Sequence, residues 1–578
     1  MYPRLAPADR TRTVLTAFAG YDHNPLTADN AFFNMENLSS DLLPVLSPRK
    51  KRGTYASPAA LGGIIGKDTL CYVDGSKMVV NGYEIDMELT PCAEGETKTL
   101  ISMGAYIVIF PDRKYINSCD LTDFGSIDAV FSSESENEVT FKPVNEAGED
   151  MGEVPASAAA PADPAAGEYW IDTSSLPHTL KMWSDSMASW VTVESTAVRM
   201  EATGIGAPFK AGDGVKISGI AFAPALNGYA VLKDAGEDYI VVPGLIEEVA
   251  EEAGTLTIER RMPEFDFVTE AGNRLWACRY GTSREGEVVN EIYASKLGDF
   301  KNWNCFEGLS TDSYAAAVGT DGAWTGAATH LGYPCFFKEN VLHKVYAAAN
   351  GAHRIQETAL FGVKRGCERS LATVGQTLFY LSPSGVMAYD GSLPVGISAA
   401  LGKESFGEAA AGALGDKYVL SAKDGKGAWH LFLFDTARSL WHREDATHAE
   451  GFAAARGELY FMENGVIRTM CGSGEEDDGE VRWSAETGPI GILTPDHLYL
   501  CRLNLSMELA RGTKCRVEIA YDNEERWEQA ASLYAAERRT FTLPILPRRA
   551  SFLRLRLSGE GDFKLFSLAR VLEAGCDR

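Results

Sequence analysis

The sequence predicts an all-β fold: a β-propeller of roughly six to seven blades, with an inserted small β domain and a C-terminal β-sandwich-like unit. Three observations carry this expectation. First, one phrase recurs between 265 and 398: a β-rich run, a Gly/Asp/Asn turn, and a second β-rich run. NRLWAC (273–278) with EIYASK (291–296), and QTLFYL (376–381) with GVMAY (385–389), are clear copies. Short strand pairs repeated every few tens of residues mark radial or stacked β architectures, because no single unit can bury its apolar face alone. Second, Asp-Gly at 74–75 and Asn-Gly at 81–82 divide apolar runs, the strongest short hairpin signal. Third, helical periodicity of useful length is scarce throughout.

Residues 1–56 read as an extended N-terminal arm. FAGYD (18–22) and FFNMENL (32–38) set aromatics among Gly, Asp and Asn, as in a segment whose side chains dock on something else. Pro44 and Pro48 bracket a short extended piece. Residues 57–118 read as the first propeller segment, a single blade with one strand over 99–110. Residues 119–263 break the repeat as an inserted β module. Within it, 143–167 is rich in Ala, Pro, Glu and Gly and reads as a mobile linker. The repeats resume over 264–484, with blades near 265–308, 315–350, 366–400, 407–445 and 448–484, and a further one if the termini combine. Residues 485–578 alternate apolar and polar side chains, the period of half-buried strands, and form a C-terminal β unit that is sandwich-like or closes the propeller.

The formal charge of −26 argues against a general nucleic-acid binder, which needs basic surface to displace counterions from phosphates. It is compatible with a conduit, whose acidic wall repels DNA. No apolar run reaches the roughly eighteen residues of a membrane span. Residues 1–12 lack the apolar core of a signal peptide, so synthesis in a cytoplasm is expected. The 11 cysteines are irregularly spaced, without CxxC, and read as buried thiols acting as small hydrophobes.

Catalytic signatures are missing from the sequence: there is no HExxH, GxSxG or GxxxxGK[ST]. His442 and His448 lie near Glu444 and Asp445, a grouping that reads as a solvated turn more readily than as a metal site. No catalytic, metal or cofactor residue is therefore expected. Candidate partner contacts are Phe18, Tyr21, Phe32 and Phe33 of the arm, the basic loop Arg49, Lys50, Lys51 and Arg52, and the aromatics Trp170, Trp183 and Trp190 of the insertion. The basic loop reads as solvated charge able to touch phosphate or an acidic neighbour. Trp276, Trp303, Trp324, Trp429 and Trp441 read as packing between blades.

Several phrases together carry a resemblance: FAGYD, FFNMENL, PVLSPR (44–49), NRLWAC, IYASKLGDFKNW (292–303), YPCFFKE (333–339) and GVMAYDGS (385–392). The chain resembles β-propeller-like structural proteins of tailed bacteriophages and prophages, similar to tail-nozzle (packaged-DNA stabilisation) proteins. The resemblance spans the arm and the repeats, well over half of the chain. It implies a non-enzymatic virion protein made in the bacterial host cytoplasm. Such a protein would form a homo-oligomeric ring on a tail or head–tail adaptor protein, around a lumen through which DNA passes without specific binding. The arm would gain order on a neighbouring subunit. Two other readings stay open: a receptor- or glycan-binding tail protein using the aromatic insertion, and, with less weight, a propeller glycoside hydrolase.

Overall fold

The computed structural model describes residues 10–93, 95–133, 138–145, 147–283, 286–346, 352–472, 476–494, 496–522, 525–534 and 537–574. The described residues form strands joined by turns and three short 3-10 helices. Most strands belong to small antiparallel sheets arranged as a seven-bladed propeller.

Blade 1 spans 61–86, blade 2 spans 99–126, blade 3 spans 267–317 and blade 4 spans 326–359. Blades 5 and 6 span 372–396 and 406–443. Blade 7 takes three strands from 451–469 and its fourth, Gly53–Ala56, from the N-terminal arm. The segment 57–118 thus supplies all of blade 1 and three of the four strands of blade 2, where one blade was expected. The run 99–110 is two strands, Thr99–Met103 and Tyr106–Phe110, folded back at Gly104.

Hairpin turns explain the repeated phrase. In blade 1, Val80 pairs with Tyr83 across Asn81 and Gly82, both left-handed (φ 53° and 82°). In blade 7, Glu463 pairs with Val466 across Asn464 and Gly465 (φ 51° and 76°). Two-residue turns with both φ positive match the right-handed twist of the flanking strands, and Asn-Gly adopts them at low cost.

Each blade junction has its own apolar packing. Val73 and Met78 meet Ile107 and Ile109 between blades 1 and 2. Val108 and Phe110 meet Val268 and Leu275 between blades 2 and 3. Trp276 and Cys278 meet Phe336 and Val345 between blades 3 and 4. Phe337 of blade 4 faces Tyr380 of blade 5, their ring centroids 5.2 Å apart. Phe379 of blade 5 stacks on Tyr418 of blade 6 at 5.1 Å. Val419 and Leu431 meet Leu459 and Phe461 between blades 6 and 7, and Tyr460 meets Leu70 where blade 7 returns to blade 1. At this last junction a Cβ on Gly66 would run into the carbonyl oxygen of Ala454, so closure requires glycine there. Trp276, Trp303, Trp324 and Trp441 are buried in or beside the blades; Trp429 is half-buried and stacks on His448 at 3.7 Å.

The insertion lies between blades 2 and 3. Two sheets over 129–260 share the core of Phe141, Val198, Ile217, Ile240 and Ile258. A third, small sheet over 156–192 packs around Ile171 and Leu180. The stretch 143–167 is more structured than a linker: Pro143 and Val144 end the strand Glu138–Val144, and Ala156–Ser157 pairs in parallel with Tyr169–Asp172.

The C-terminal unit is a two-sheet sandwich. Leu498–Leu509 and Phe563–Ala574 form the heart of one sheet; Lys514–Tyr521 and Leu553–Glu560 form the heart of the other. Inward side chains such as Leu503, Leu505, Val517 and Leu555 fill the space between them, as the period-two alternation requires. Two arm strands complete it. Arg10–Leu15 pairs with the end of the chain, and Phe32–Glu36 pairs with Arg482–Thr487.

Six of the described cysteines are buried and none is disulfide-bonded; Cys576 lies outside the described residues.

Candidate binding surfaces

The arm docks on its own chain, which corrects the expectation that it orders on a neighbouring subunit. Tyr21 N–H donates to the Trp441 carbonyl at 2.7 Å, fastening the arm to the outer strand of blade 6. Phe18, Tyr21 and Phe32 are at most 5% exposed, in one core with Met35, Leu38, Phe432, Trp441 and the sandwich. Their side chains are consumed inside the molecule and are not partner contacts. Phe33 is half-buried and stacks on His23 at 4.3 Å.

The basic cluster is corrected in the same way. Arg52 is buried, and its guanidinium reaches Glu444 at 2.5 Å, Asp445 at 3.0 Å and Thr447 Oγ1 at 2.8 Å. Burial alone would weaken its charge; the two carboxylates outweigh that and raise its pKa. Asp445 is held below the usual carboxylate range, Arg52 overcoming its burial. Arg49, also buried, donates to Asn37 Oδ1 at 2.8 Å and to Asp478 at 2.7 Å. Glu444 and Asp445 therefore bind the arm rather than sitting in a solvated turn. Lys51 pairs with Glu480 at 3.3 Å, and Lys50 is exposed. These two line a cavity of about 540 Å³ beside Asp41, Glu508 and Lys564.

His442 is buried against Gly20 of the arm, and burial holds its pKa down at about 4, with Lys417 acting in the same direction. His343 is held at about 4 by burial beside Lys338. An unfolded chain protonates these rings from about pH 6.5 downward, while the native state does so only near 4. Native stability contributed by each ring is therefore intact above pH 6.5 and is lost as pH falls toward 4, at up to about 1.4 kcal/mol per pH unit per ring. Urea midpoints should drop between pH 7 and 5, and His442→Gln should reduce that slope. An identical slope in the variant would contradict this assignment.

The three tryptophans of the insertion divide. Trp170 is 4% exposed; its indole N–H donates to the Ser157 carbonyl at 3.1 Å and lies within 3.0 Å of Ser157 Oγ. It is core, not surface. Trp183 and Trp190 sit directly opposite each other on neighbouring strands, half-buried and edge-to-face at 5.6 Å. Met187 and Val191 beside them are exposed. Trp170→Ala should cost about 3–5 kcal/mol locally. Limited proteolysis should then cut within 156–192 while the propeller stays resistant; uniform resistance would contradict a core role.

The structure adds a cleft that sequence reasoning missed. It is about 630 Å³, at the join of the insertion with blades 2 and 3, and includes Arg113, Tyr229, Arg261, Arg279 and Glu291. Its arginines are paired: Arg113 with Asp128 at 3.0 Å, Arg261 with Glu259 at 2.6 Å, Arg279 with Asp266 at 2.8 Å. Glu291 accepts from Tyr293 at 2.5 Å. These residues come from separate stretches between 113 and 304, so no local motif marks them. The innermost blade strands are mostly small and neutral, with Glu270 and Glu408 their only acidic residues. The strands that line the propeller axis therefore do not make an acidic channel.

No family model matches the chain, and no curated protein matches it. Among solved structures it is similar to an exo-β-1,3-galactanase from Phanerochaete chrysosporium (8% identity, 52% of this chain, 94% of that chain, TM-score 0.21). It is also similar to PorZ, a surface component of the type-IX secretion system of Porphyromonas gingivalis (9% identity, 84% and 70%, TM-score 0.25). The N-terminal domain of Nup159 is a third such structure (9% identity, 78% and 98%, TM-score 0.21). Overlaps this loose carry no functional argument.

Proposed function

We propose that the chain is a non-enzymatic structural protein of a tailed-phage virion, part of a tail nozzle or of the head–tail or tail-tip assembly around the DNA exit channel. One observation supports this reading above others: the phrases that carry the phage resemblance lie in the frame. FAGYD, FFNMENL and PVLSPR place Phe18, Tyr21, Phe32, Met35, Leu38, Leu46 and Arg49 between propeller and sandwich. NRLWAC places Trp276 and Cys278 between blades 3 and 4. In this chain those phrases lock a propeller to a sandwich, giving a rigid brick suited to a ring closed by head-to-tail contacts. The arm is the lock within each brick, so ring contacts fall to other surfaces. The negative charge fits a lumen that DNA slides through. Electron microscopy of the purified chain mixed with portal and adaptor proteins tests this. Rings seated on the adaptor are expected; a monomer that neither self-associates nor binds them in any condition would overturn it.

A second reading, a glycan-binding tail protein, draws on the Trp183–Trp190 pair, whose half-exposed rings could stack on a sugar face. Binding to host cell-wall glycans that disappears in Trp183→Ala or Trp190→Ala would favour it.

A further inference from the structure

Glu404, Asp424 and His430 each bring one potential ligand atom to a common point on blade 6, all within 4.8 Å of one another. They arrive from three places: the link between blades 5 and 6, the end of Lys417–Asp424, and the strand Trp429–Asp435. The turn at 424–428 orients Asp424. Its Oδ1 accepts from the Lys426 and Ala428 N–H groups at 2.8 and 2.9 Å, which aims Oδ2 at His430 Nε2, 2.9 Å away. The link is held close to this turn: a Cβ on Gly425 would lie 3.8 Å from the Ser405 carbonyl oxygen.

An Asp–His hydrogen bond within a turn explains two of the three residues. It does not explain Glu404, which adds a second carboxylate while no hydrogen bond or ion pair engages its side chain among the described residues. Two carboxylates against one imidazole leave net negative charge converging on a point, the situation a bound cation resolves. His430 Nδ1 is buried without a hydrogen-bond partner. A shift of the ring hydrogen to Nδ1 costs no bond at Nδ1; it gives up the Nε2–H bond to Asp424 and frees the Nε2 lone pair for a cation that Asp424 Oδ2 then shares.

We propose that Glu404, Asp424 and His430 form a binding site for a divalent transition-metal cation of the zinc type, tying the link before blade 6 to that blade's central hairpin. One imidazole with two carboxylate oxygens suits zinc better than calcium, which favours all-oxygen sets. The backbone-bound Asp424 supplies the fixed ligand, and the exposed Glu404 closes over the ion. Three protein ligands leave a further position for water or for a donor from another molecule.

Isothermal titration of the full chain, stripped with chelator and titrated with zinc chloride, tests the site. One Zn²⁺ per chain is expected, with affinity reduced at least about tenfold in Glu404→Gln and in His430→Ala. Glu404 is exposed, so its variant should fold as the parent does, and circular dichroism checks that. Equal affinity in parent and Glu404→Gln, or no saturable binding by the parent, would overturn the proposal.

Discussion

Replacing Arg52 with Met is expected to cost about 3–5 kcal/mol, because it strands a buried carboxylate. Glu444 is 3% exposed and loses the guanidinium at 2.5 Å; Asp445 loses its contact at 3.0 Å. Both keep only a longer contact to Arg49, Asp445 at 3.6 Å and Glu444 at 3.7 Å, and the burden falls on Glu444 because it is the more deeply buried. Chemical denaturation should show the loss as a lower midpoint. A double variant, Arg52→Met with Glu444→Leu, should recover most of it, since an apolar pair leaves no unpaired charge in the same space. If the single variant is as stable as the parent, the network does not clasp the arm. If the double variant is no better than the single, the cost comes from lost packing of the Arg52 stem and not from the stranded charge.

Removing residues 1–46 is expected to abolish folding. Phe18, Tyr21, Phe32, Met35, Leu38 and Leu46 are each at most 5% exposed in the core shared by blade 6 and the sandwich. Burial of each such side chain is worth about 1.5–3 kcal/mol. Six of them therefore rival the roughly 5–15 kcal/mol by which whole domains are stable. Two sandwich strands, Arg10–Leu15 and Phe32–Glu36, go with them. Expression of the truncated chain should give insoluble material. A soluble, cooperatively melting product would mean the arm is an accessory and the frame stands without it.

Much of this architecture was legible because propellers announce themselves locally. Blades 5 and 6 lie close to the positions read from strand–turn–strand phrases, since each hairpin is encoded by contiguous residues; Tyr314–Ala317, read into the following blade, closes blade 3, and Arg482–Thr487, read into the last blade, belongs to the sandwich. Blade 2 was absorbed into blade 1 for a local reason as well. Its first turn is Gly104 with Ala105, lacking the Asn-Gly or Asp-Gly punctuation at 74–75 and 81–82, and its last strand, Phe124–Ser126, lies past the expected boundary. The arm shows the other limit. Its aromatics say that it docks, but nothing local says on what, and its partner Trp441 is hundreds of residues away. Arg52 read as solvated because its carboxylate, Glu444, is 392 positions distant. The zinc-type cluster was invisible for the same reason: Glu404, Asp424 and His430 have no ligand spacing in sequence and meet only once blade 6 folds. Trp170 and Trp190 lie on one small sheet, yet which of them is core depends on Ser157, in a stretch whose composition reads as linker.

The N-terminal arm closes the propeller of its own chain. Thr54 and Arg468 are paired across the seam of blade 7. Cysteines at both positions, bridged with a short thiol-specific cross-linker in dilute native protein, test it most directly. A cross-link within one chain is expected, seen as a monomer of altered mobility on a denaturing gel and as a linked 53–56/466–469 peptide pair by mass spectrometry. Covalent dimers and higher ladders, or no cross-link while the chain is folded, would contradict it.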